Sequence, residues 1–179
     1  MALKSGKYTL GPGDGKLTVK TGKAGAAAKA GHNLVIEVST WSATIEAGED
    51  PADVSLALTA DSRSLKVLDG GGGVKELSDG DMQDITATIN KDVLKGGAIE
   101  FRSRQANPTP DGRLHVQGDL NLLGTTRPID FNLSVDDGGH LTGEATVKQS
   151  DWGMKPYSAL FGTLKVSDEV QVGIDAQLP

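Results

Sequence analysis

Residues 113–136, RLHVQGDLNLLGTTRPIDFNLSVD, decide the fold. Small or apolar side chains alternate with polar ones on both sides of a turn at residues 124–128. The alternating apolar positions are Leu114, Val116, Gly118, Leu120 and Leu122 before the turn, and Ile129, Phe131, Leu133 and Val135 after it. A period of two is typical of β-strands with one buried face. The stretch therefore predicts an antiparallel hairpin.

The same alternation continues along the rest of the chain. It predicts further strands at residues 8–10, 16–20, 34–46, 54–60, 64–68, 99–105, 141–147 and 170–178. Within residues 34–46 the apolar positions change from even to odd numbers, which indicates a β-bulge near Ser39 and Thr40. So many short amphipathic strands favour a closed barrel or a sandwich. We expect an all-β fold, an antiparallel barrel of about eight strands.

One segment departs from the β pattern. Residues 78–81, SDGD, are typical of a helix start, and Met82, Ile85, Ile89 and Val93 follow at helical spacing. This pattern predicts a helix that ends at residues 96–97, where two glycines follow each other. The alanine-rich residues 24–29 could form a second short helix.

Composition limits the class of protein. The 179 residues fit one domain, residues 1–179, and the absence of cysteine excludes a disulfide scaffold or a thiolate metal site. The net charge of -6 argues against a nucleic-acid partner. No stretch resembles a secretory signal or reaches the roughly 18 apolar residues of a membrane span, so we expect a cytoplasmic protein.

The first 29 residues are basic in an otherwise acidic chain. Six lysines stand against Asp14 alone: Lys4, Lys7, Lys16, Lys20, Lys23 and Lys29. One interpretation is a solvated terminal hairpin. The other is a transient contact with the anionic headgroups of a membrane.

Catalytic motifs are missing. His32, His115 and His140 lack the spacing of metal ligands, so we expect no metal site. Residues 70–73 are four glycines, but no Lys-Ser/Thr follows as in a phosphate loop, and a flexible turn is the simpler interpretation. We expect no enzyme and no catalytic residues, although a pair of carboxylates could serve an enzyme that acts on a lipid.

Several segments together resemble the YceI-like family. Residues 118–129, GDLNLLGTTRPI, resemble its G-x-L-x-x-x-G-x-T-R/K-P signature, and residues 99–103, IEFRS, resemble its I-x-F-x-S strand. Residues 150–153, SDWG, are similar to a late turn of the family, residues 166–170, VSDEV, to its final strand, and residues 31–34, GHNL, to the start of a long strand in one branch. The resemblance covers nearly the whole chain.

The resemblance implies an extended lipocalin-like barrel whose interior binds an isoprenoid-type lipid, either a polyisoprenoid or an isoprenoid quinone. The expected function is non-enzymatic binding or carriage of this apolar small molecule, with no cofactor apart from the bound lipid. The alternative is a structural or protein-interaction domain with a filled barrel and no small ligand, which could pair as a homodimer through an uncovered strand.

Inward-facing apolar side chains are the candidates for ligand contact, although an inward apolar side chain in a barrel is more often plain core. They are Leu34, Ile36, Val38, Trp41, Phe101, Val116, Leu120, Phe131, Leu133, Val147, Trp152, Tyr157, Phe161 and Val172. The aromatic-rich residues 152–161 are expected to form a mouth or lid of the barrel, or else a plug. His32 and Arg127 are candidates for contact with a polar headgroup, but His32 could instead bond the backbone, and Arg127 could pair with Asp119 or Asp130.

Overall fold

The computed structural model describes residues 3–159 and 164–179. Within them the chain forms twelve strands and one helical segment, joined by short turns. The strands are β1 (Gly6–Leu10), β2 (Gly15–Ala24), β3 (Asn33–Val38), β4 (Trp41–Ala47), β5 (Val54–Asp61), β6 (Leu65–Gly71), β7 (Ala98–Pro108), β8 (Leu114–Leu122), β9 (Thr125–Val135), β10 (His140–Lys148), β11 (Ser158–Ala159) and β12 (Leu164–Gln177).

All strands belong to one antiparallel sheet. Its order is β1-β4-β5-β7-β8-β9-β10-β12-β2-β3-β6, and the two-residue strand β11 pairs with β12. The predicted hairpin is confirmed as β8 and β9, with Leu122 opposite Thr125 and Leu114 opposite Leu133. The sheet curls because its strands twist and alternate apolar and polar faces. The predicted all-β, antiparallel, barrel-like fold is confirmed.

A corner at Ser39 and Thr40 replaces the predicted bulge. Residues 33–47 form two strands: β3 pairs with β2 and β6, whereas β4 pairs with β1 and β5. The partner strands β5 and β6 bend at the same place, where Ser39 N donates to Ser64 O at 3.0 Å and Asp61 N donates to Thr40 O at 3.0 Å. The corner divides one predicted strand into β3 and β4, and the described residues contain twelve strands in all, where about eight are predicted.

The helical segment forms where it is predicted. In α1 (Asp79–Thr88), Ser78 Oγ accepts a hydrogen bond from Asp81 N, and the Asp81 carboxylate accepts one from Ser78 N at 2.9 Å. A π-helical turn (Ile89–Val93) continues α1, and the chain leaves it through Gly96, whose φ is +70°. Across the described residues, we find no helix with the length and apolar character needed to cross a bilayer.

The second predicted helix, at residues 24–29, does not form. Strand β2 continues through Ala24, Gly25 has a φ of +89°, and only a short 3-10 turn (Ala28–Ala30) follows. The left-handed backbone at Gly25 is the physical reason, because it is incompatible with a right-handed helix through this position.

Buried side chains fill one end of the barrel. The turns at residues 11–14 and 136–139 meet there, because Gln177 N donates to Asp14 O at 2.8 Å and Leu178 N donates to Gly139 O at 2.9 Å. The most buried members of this packed end are Leu10, Val116 and Leu141, each at most 1% exposed. The interior is left open toward the opposite end, where the sheet and the helical segment enclose the candidate site.

Candidate functional site

A cavity of about 630 Å³ lies between the inner face of the sheet and the helical segment. This volume is in the range of small-molecule sites in proteins, roughly 300–1,000 Å³. Nine strands contribute side chains to its lining, among them Leu17 and Val19 from β2, Ile129 from β9, and Ala145 from β10. Because side chains of alternate residues in a strand point to the same face, the wall is almost wholly apolar.

Most of the predicted contact residues line this cavity. They are Leu34, Ile36, Val38, Phe101, Leu120, Phe131, Val147, Tyr157 and Val172. Phe101 and Phe131 pack against each other with their ring centroids 5.3 Å apart and their planes tilted by 59°. Gly118 faces this pair, since a Cβ built on it would lie 2.5 Å from Phe101 Cζ. The glycine in the hairpin therefore makes room for an aromatic pair in the cavity wall.

Other predicted contact residues lie away from the cavity. Trp41, Val116 and Leu133 are buried in the packed core and do not line it. Trp152 is also buried, and its Nε1 donates to Leu120 O at 2.9 Å from behind the wall. Phe161 lies outside the described residues.

Arg127 is not part of the cavity either. Its Nε donates to Asp151 O at 3.1 Å on the exposed side of the barrel, so its guanidinium holds the 3-10 turn Gln149–Trp152. The pairing with Asp119 or Asp130 that the sequence also suggests is not formed, because Asp119 pairs with Arg104 and Asp130 lies near His115. Arg127 thus lies at the surface and binds a backbone carbonyl in this structure.

A small group of polar side chains marks one end of the cavity, and we call it the polar end: Lys23, His32, Gln149 and Tyr157. The chain brings them together because Val166 pairs with Lys23 across β12 and β2, and Val166 N donates to Tyr157 O at 2.9 Å. Gln149 Nε2 donates to Ser167 O at 3.0 Å, next along β12. The polar end therefore combines three separate segments of sequence.

Lys23 and His32 are held by backbone carbonyls. Lys23 Nζ donates to Gly31 O at 3.2 Å and to Gly72 O, and His32 Nε2 lies 2.5 Å from Lys75 O. The His32 ring covers Gly73 so closely that a Cβ on this glycine would lie 2.5 Å from His32 Cδ2. Two of the four glycines, Gly72 and Gly73, thus pack closely against the polar end, whereas a Cβ on Gly71 would meet nothing within 4 Å.

Two large exposed side chains belong to the polar end or to the loop beside it. Tyr157 is 51% exposed and Val74, in the loop that carries Lys75, is 82% exposed. Met154 lines the cavity next to them. The predicted mouth at residues 152–161 is thus placed at the cavity for Met154 and Tyr157, while residues 160–163 lie outside the described part of the chain.

Sequence reasoning missed two parts of the site. The sequence predicts the helical segment but does not indicate that its residues Ile85, Ile89 and Leu94 line the interior. From the sequence, Lys23 is only one of six N-terminal lysines. Its position in β2 could have identified it. Lys23 lies an even number of residues after Leu17 and Val19, so its side chain points to the same inward face of the strand.

Titratable groups with shifted pKa values lie outside the cavity. Hydrogen bonds from Thr109 and Arg113 lower the pKa of Asp111 to about 2 in an exposed turn, and a hydrogen bond from the Ser150 hydroxyl lowers the pKa of Asp168. Within residues 3–159 and 164–179, His, Asp and Glu side chains form no group able to hold a metal ion. The lining of the cavity is mostly apolar, with hydrogen-bond donors at the polar end and two carboxylate side chains elsewhere among its residues.

Comparisons with known proteins agree with this geometry. A sequence model of the YceI-like domain matches residues 8–178. A similar fold is found in the crystal structure of Burkholderia cenocepacia BcnA, with 19% sequence identity, a TM-score of 0.64, and coverage of 90% of this chain and 94% of that one. No curated protein sequence matches the chain. Because the domain match spans nearly the whole sequence, the chain belongs to the YceI-like family.

Proposed function

We propose that this protein binds one isoprenoid-type lipid, a polyisoprenoid or an isoprenoid quinone, in the barrel cavity and carries it without chemical change. The observation that supports this function is the apolar cavity of about 630 Å³ inside the curled sheet. A flexible hydrocarbon chain suits such a cavity because it requires little besides apolar contact. The few polar groups at one end suit the head of an amphiphile.

The gain in free energy is sufficient for binding. Burial of one methylene-sized group contributes about 0.8 kcal/mol, so a five-carbon isoprene unit contributes about 4 kcal/mol. Two buried units would match, and three would exceed, the roughly 8 kcal/mol of a micromolar complex before the ordering costs are subtracted. Affinity thus depends on whether the interior stays open to the chain.

The cavity also bears on the alternative function. A structural or protein-interaction domain with a filled barrel needs side chains that pack the interior to normal protein density. Ala145 instead faces the cavity from β10 and is only partly covered. We therefore favour a barrel that binds a ligand over a filled barrel. We also favour binding over catalysis, and the lipid is the group that is bound.

Mass spectrometry of an organic-solvent extract tests the proposal. We expect the purified protein to carry a prenyl lipid, or to take up an added isoprenoid quinone with micromolar or better affinity. Ala145→Phe should reduce uptake at least about tenfold, because the new ring occupies the cavity. Thr146→Phe is the matched control, since Thr146 is exposed on the opposite face of β10. An empty extract together with no uptake of quinone would refute the proposal.

The partners and the location of the protein are proposals as well. The six N-terminal lysines do not share one face: Lys7 pairs with Glu46 on the β1 side, Lys20 is exposed on β2, and Lys23 lies at the cavity. Contact of this segment with an anionic membrane, a homodimer through an uncovered strand and a cytoplasmic location all stay predictions. Vesicle co-sedimentation and sedimentation velocity would test the first two.

A further inference from the structure

We propose that the ligand enters and leaves the cavity through a split in the side of the barrel, between β9 and β10. The split is the place where the pairing of these two neighbouring strands ends partway along their length. The inference rests on the proposed function and deepens it, because it assigns control of ligand exchange to one part of the barrel wall.

The two strands pair over only four residues each, and the last pair is Asn132 with Glu144. Beyond this pair, β9 continues with β8 as its partner, and β10 continues with β12 as its partner. Within the described residues, the facing edges of residues 125–131 and 145–148 are therefore not joined to each other. Pro128 lies on this part of β9, and proline suits the edge of a sheet because it has no N–H to donate.

Residues beside the split line two spaces. On the outer face of the sheet, a groove of about 1320 Å³ runs across β2, β12, β10 and β9. Both this groove and the inner cavity are lined by Ile129, Phe131, Gly143, Glu144 and Ile174. Four of these residues belong to β9 or β10 and lie within three residues of the last pair. The cavity and the outer surface therefore come close to each other beside the split.

A turn of the chain crosses one end of the split, and we call it the strap: Gln149–Trp152. The strap follows β10 directly and reaches past β9 to β8, because Trp152 Nε1 donates to Leu120 O. Arg127 Nε donates to Asp151 O at 3.1 Å and holds the strap to β9. Between the strap and the last pair, the split extends for five residues of β9, which is about 16 Å at about 3.3 Å per residue.

The strap is held differently on its two sides. On the β12 side, Ser150 N and Ser150 Oγ both donate to the Asp168 carboxylate, at 2.8 and 2.5 Å. On β9, the bond from Arg127 is exposed, and water can replace such a bond at little cost in free energy. Loss of the Arg127 bond should therefore loosen the strap over the split and leave the sheet folded.

A cross-link across the split tests the route. The chain has no cysteine, so Asp130→Cys with Thr146→Cys places one thiol on each edge, and both positions are exposed. A reducible bifunctional methanethiosulfonate reagent then joins the two thiols on the full chain. The probe is ubiquinone-2, a short isoprenoid quinone, followed by stopped-flow quenching of tryptophan fluorescence. We expect the cross-link to slow uptake and release at least about tenfold with unchanged affinity, and reduction to restore both rates.

Ser134→Cys with Thr142→Cys is the matched control. These residues lie opposite each other where the same two strands are paired, and both line the outer groove. Their cross-link should change neither rate. Arg127→Met needs no cross-link. It removes the bond to the strap and should raise both rates at least about threefold with unchanged affinity.

The outcomes separate this inference from the proposed function. Unchanged rates after cross-linking across the split would overturn the lateral route and leave lipid binding intact. Equal slowing by the control cross-link would overturn it too, because the effect would then not depend on the split. Unchanged rates in Arg127→Met would overturn the role of the strap. An empty extract together with no uptake of ubiquinone-2 by the unaltered protein would overturn the proposed function itself.

Discussion

Trp152 Nε1 donates a hydrogen bond of 2.9 Å to the carbonyl oxygen of Leu120, 32 residues earlier in the chain. Both residues are buried, and the Leu120 side chain points into the cavity while its carbonyl faces the indole. The bond ties the 3-10 turn Gln149–Trp152 to the back of the cavity wall. Trp152 therefore supports the cavity from outside and does not contact its contents.

Trp152→Phe should lower the free energy of unfolding by about 2–4 kcal/mol, because it leaves the buried Leu120 carbonyl unpaired and removes part of a buried ring. Urea unfolding would measure this loss. Tyr8→Phe is the control, since the Tyr8 hydroxyl donates to Lys4 O at an exposed position, and it should change stability by less than about 0.5 kcal/mol. A loss below about 1 kcal/mol for Trp152→Phe would contradict the supporting role.

Gly118→Ala should destabilise the protein by about 1–3 kcal/mol. The added methyl group would meet the Arg102 carbonyl oxygen and Phe101 Cζ, and Phe101 cannot move freely because it packs against Phe131. Thermal unfolding would show the loss. Gly13→Ala, where nothing lies within 4 Å, should be almost neutral. Equal stability of the two variants would mean that the aromatic pair repacks without cost.

Local patterns in the sequence predict much of this fold. The β8–β9 hairpin follows from strict alternation over residues 114–135, and α1 follows from its capping residues and helical spacing. The corner at Ser39 and Thr40 does not follow, because a change of parity looks the same in a bulged strand and in two strands that part. Only the long-range pairing of β3 with β6 and of β4 with β5 distinguishes them.

The candidate site, like the fold, is predictable only in part from the sequence. Parity identifies the inward faces, and so finds residues such as Leu34, Ile36 and Phe131. It does not tell which inward residues border empty space and which pack together, as Val116 and Leu133 do. That difference depends on where the two ends of the barrel close. The meeting of Lys23 with the glycine tract depends on contacts between residues 49 positions apart, which no local pattern contains.

Ser78→Ala should destabilise α1 by about 1 kcal/mol, because it removes the side-chain acceptor for Asp81 N. Hydrogen exchange of the first-turn amides would report the loss locally. Ser55→Ala, at an exposed position of β5 distant from the helix, is the control and should leave this exchange unchanged. Since Ile85 and Ile89 of the helical segment line the cavity, we also expect Ser78→Ala to weaken quinone uptake. Unaltered exchange would show that tertiary packing alone holds the helix start.

His140 should titrate above its ordinary pKa of 6.5. Its Nε2 lies 2.8 Å from Asp175 Oδ1, and the hydrogen bond that the protonated ring donates to this carboxylate raises the pKa, with further attraction from Asp175 and Asp136. Because the folded-state pKa is raised, the pair stabilises the fold fully below pH 6.5, and this contribution is lost as the pH rises through the folded-state pKa. NMR titration of the His140 ring would measure the shift.

Asp175→Asn is the variant that tests the cause of this shift. Without the carboxylate, the pKa of His140 should fall back toward 6.5, and only the attraction of Asp136 should remain. The difference in unfolding free energy between the unaltered protein and Asp175→Asn should therefore be largest below pH 6.5 and decline at higher pH. Asp130→Asn, which removes a carboxylate near His115 instead, should leave the titration of His140 unchanged. A His140 pKa that does not respond to Asp175→Asn would contradict the pairing.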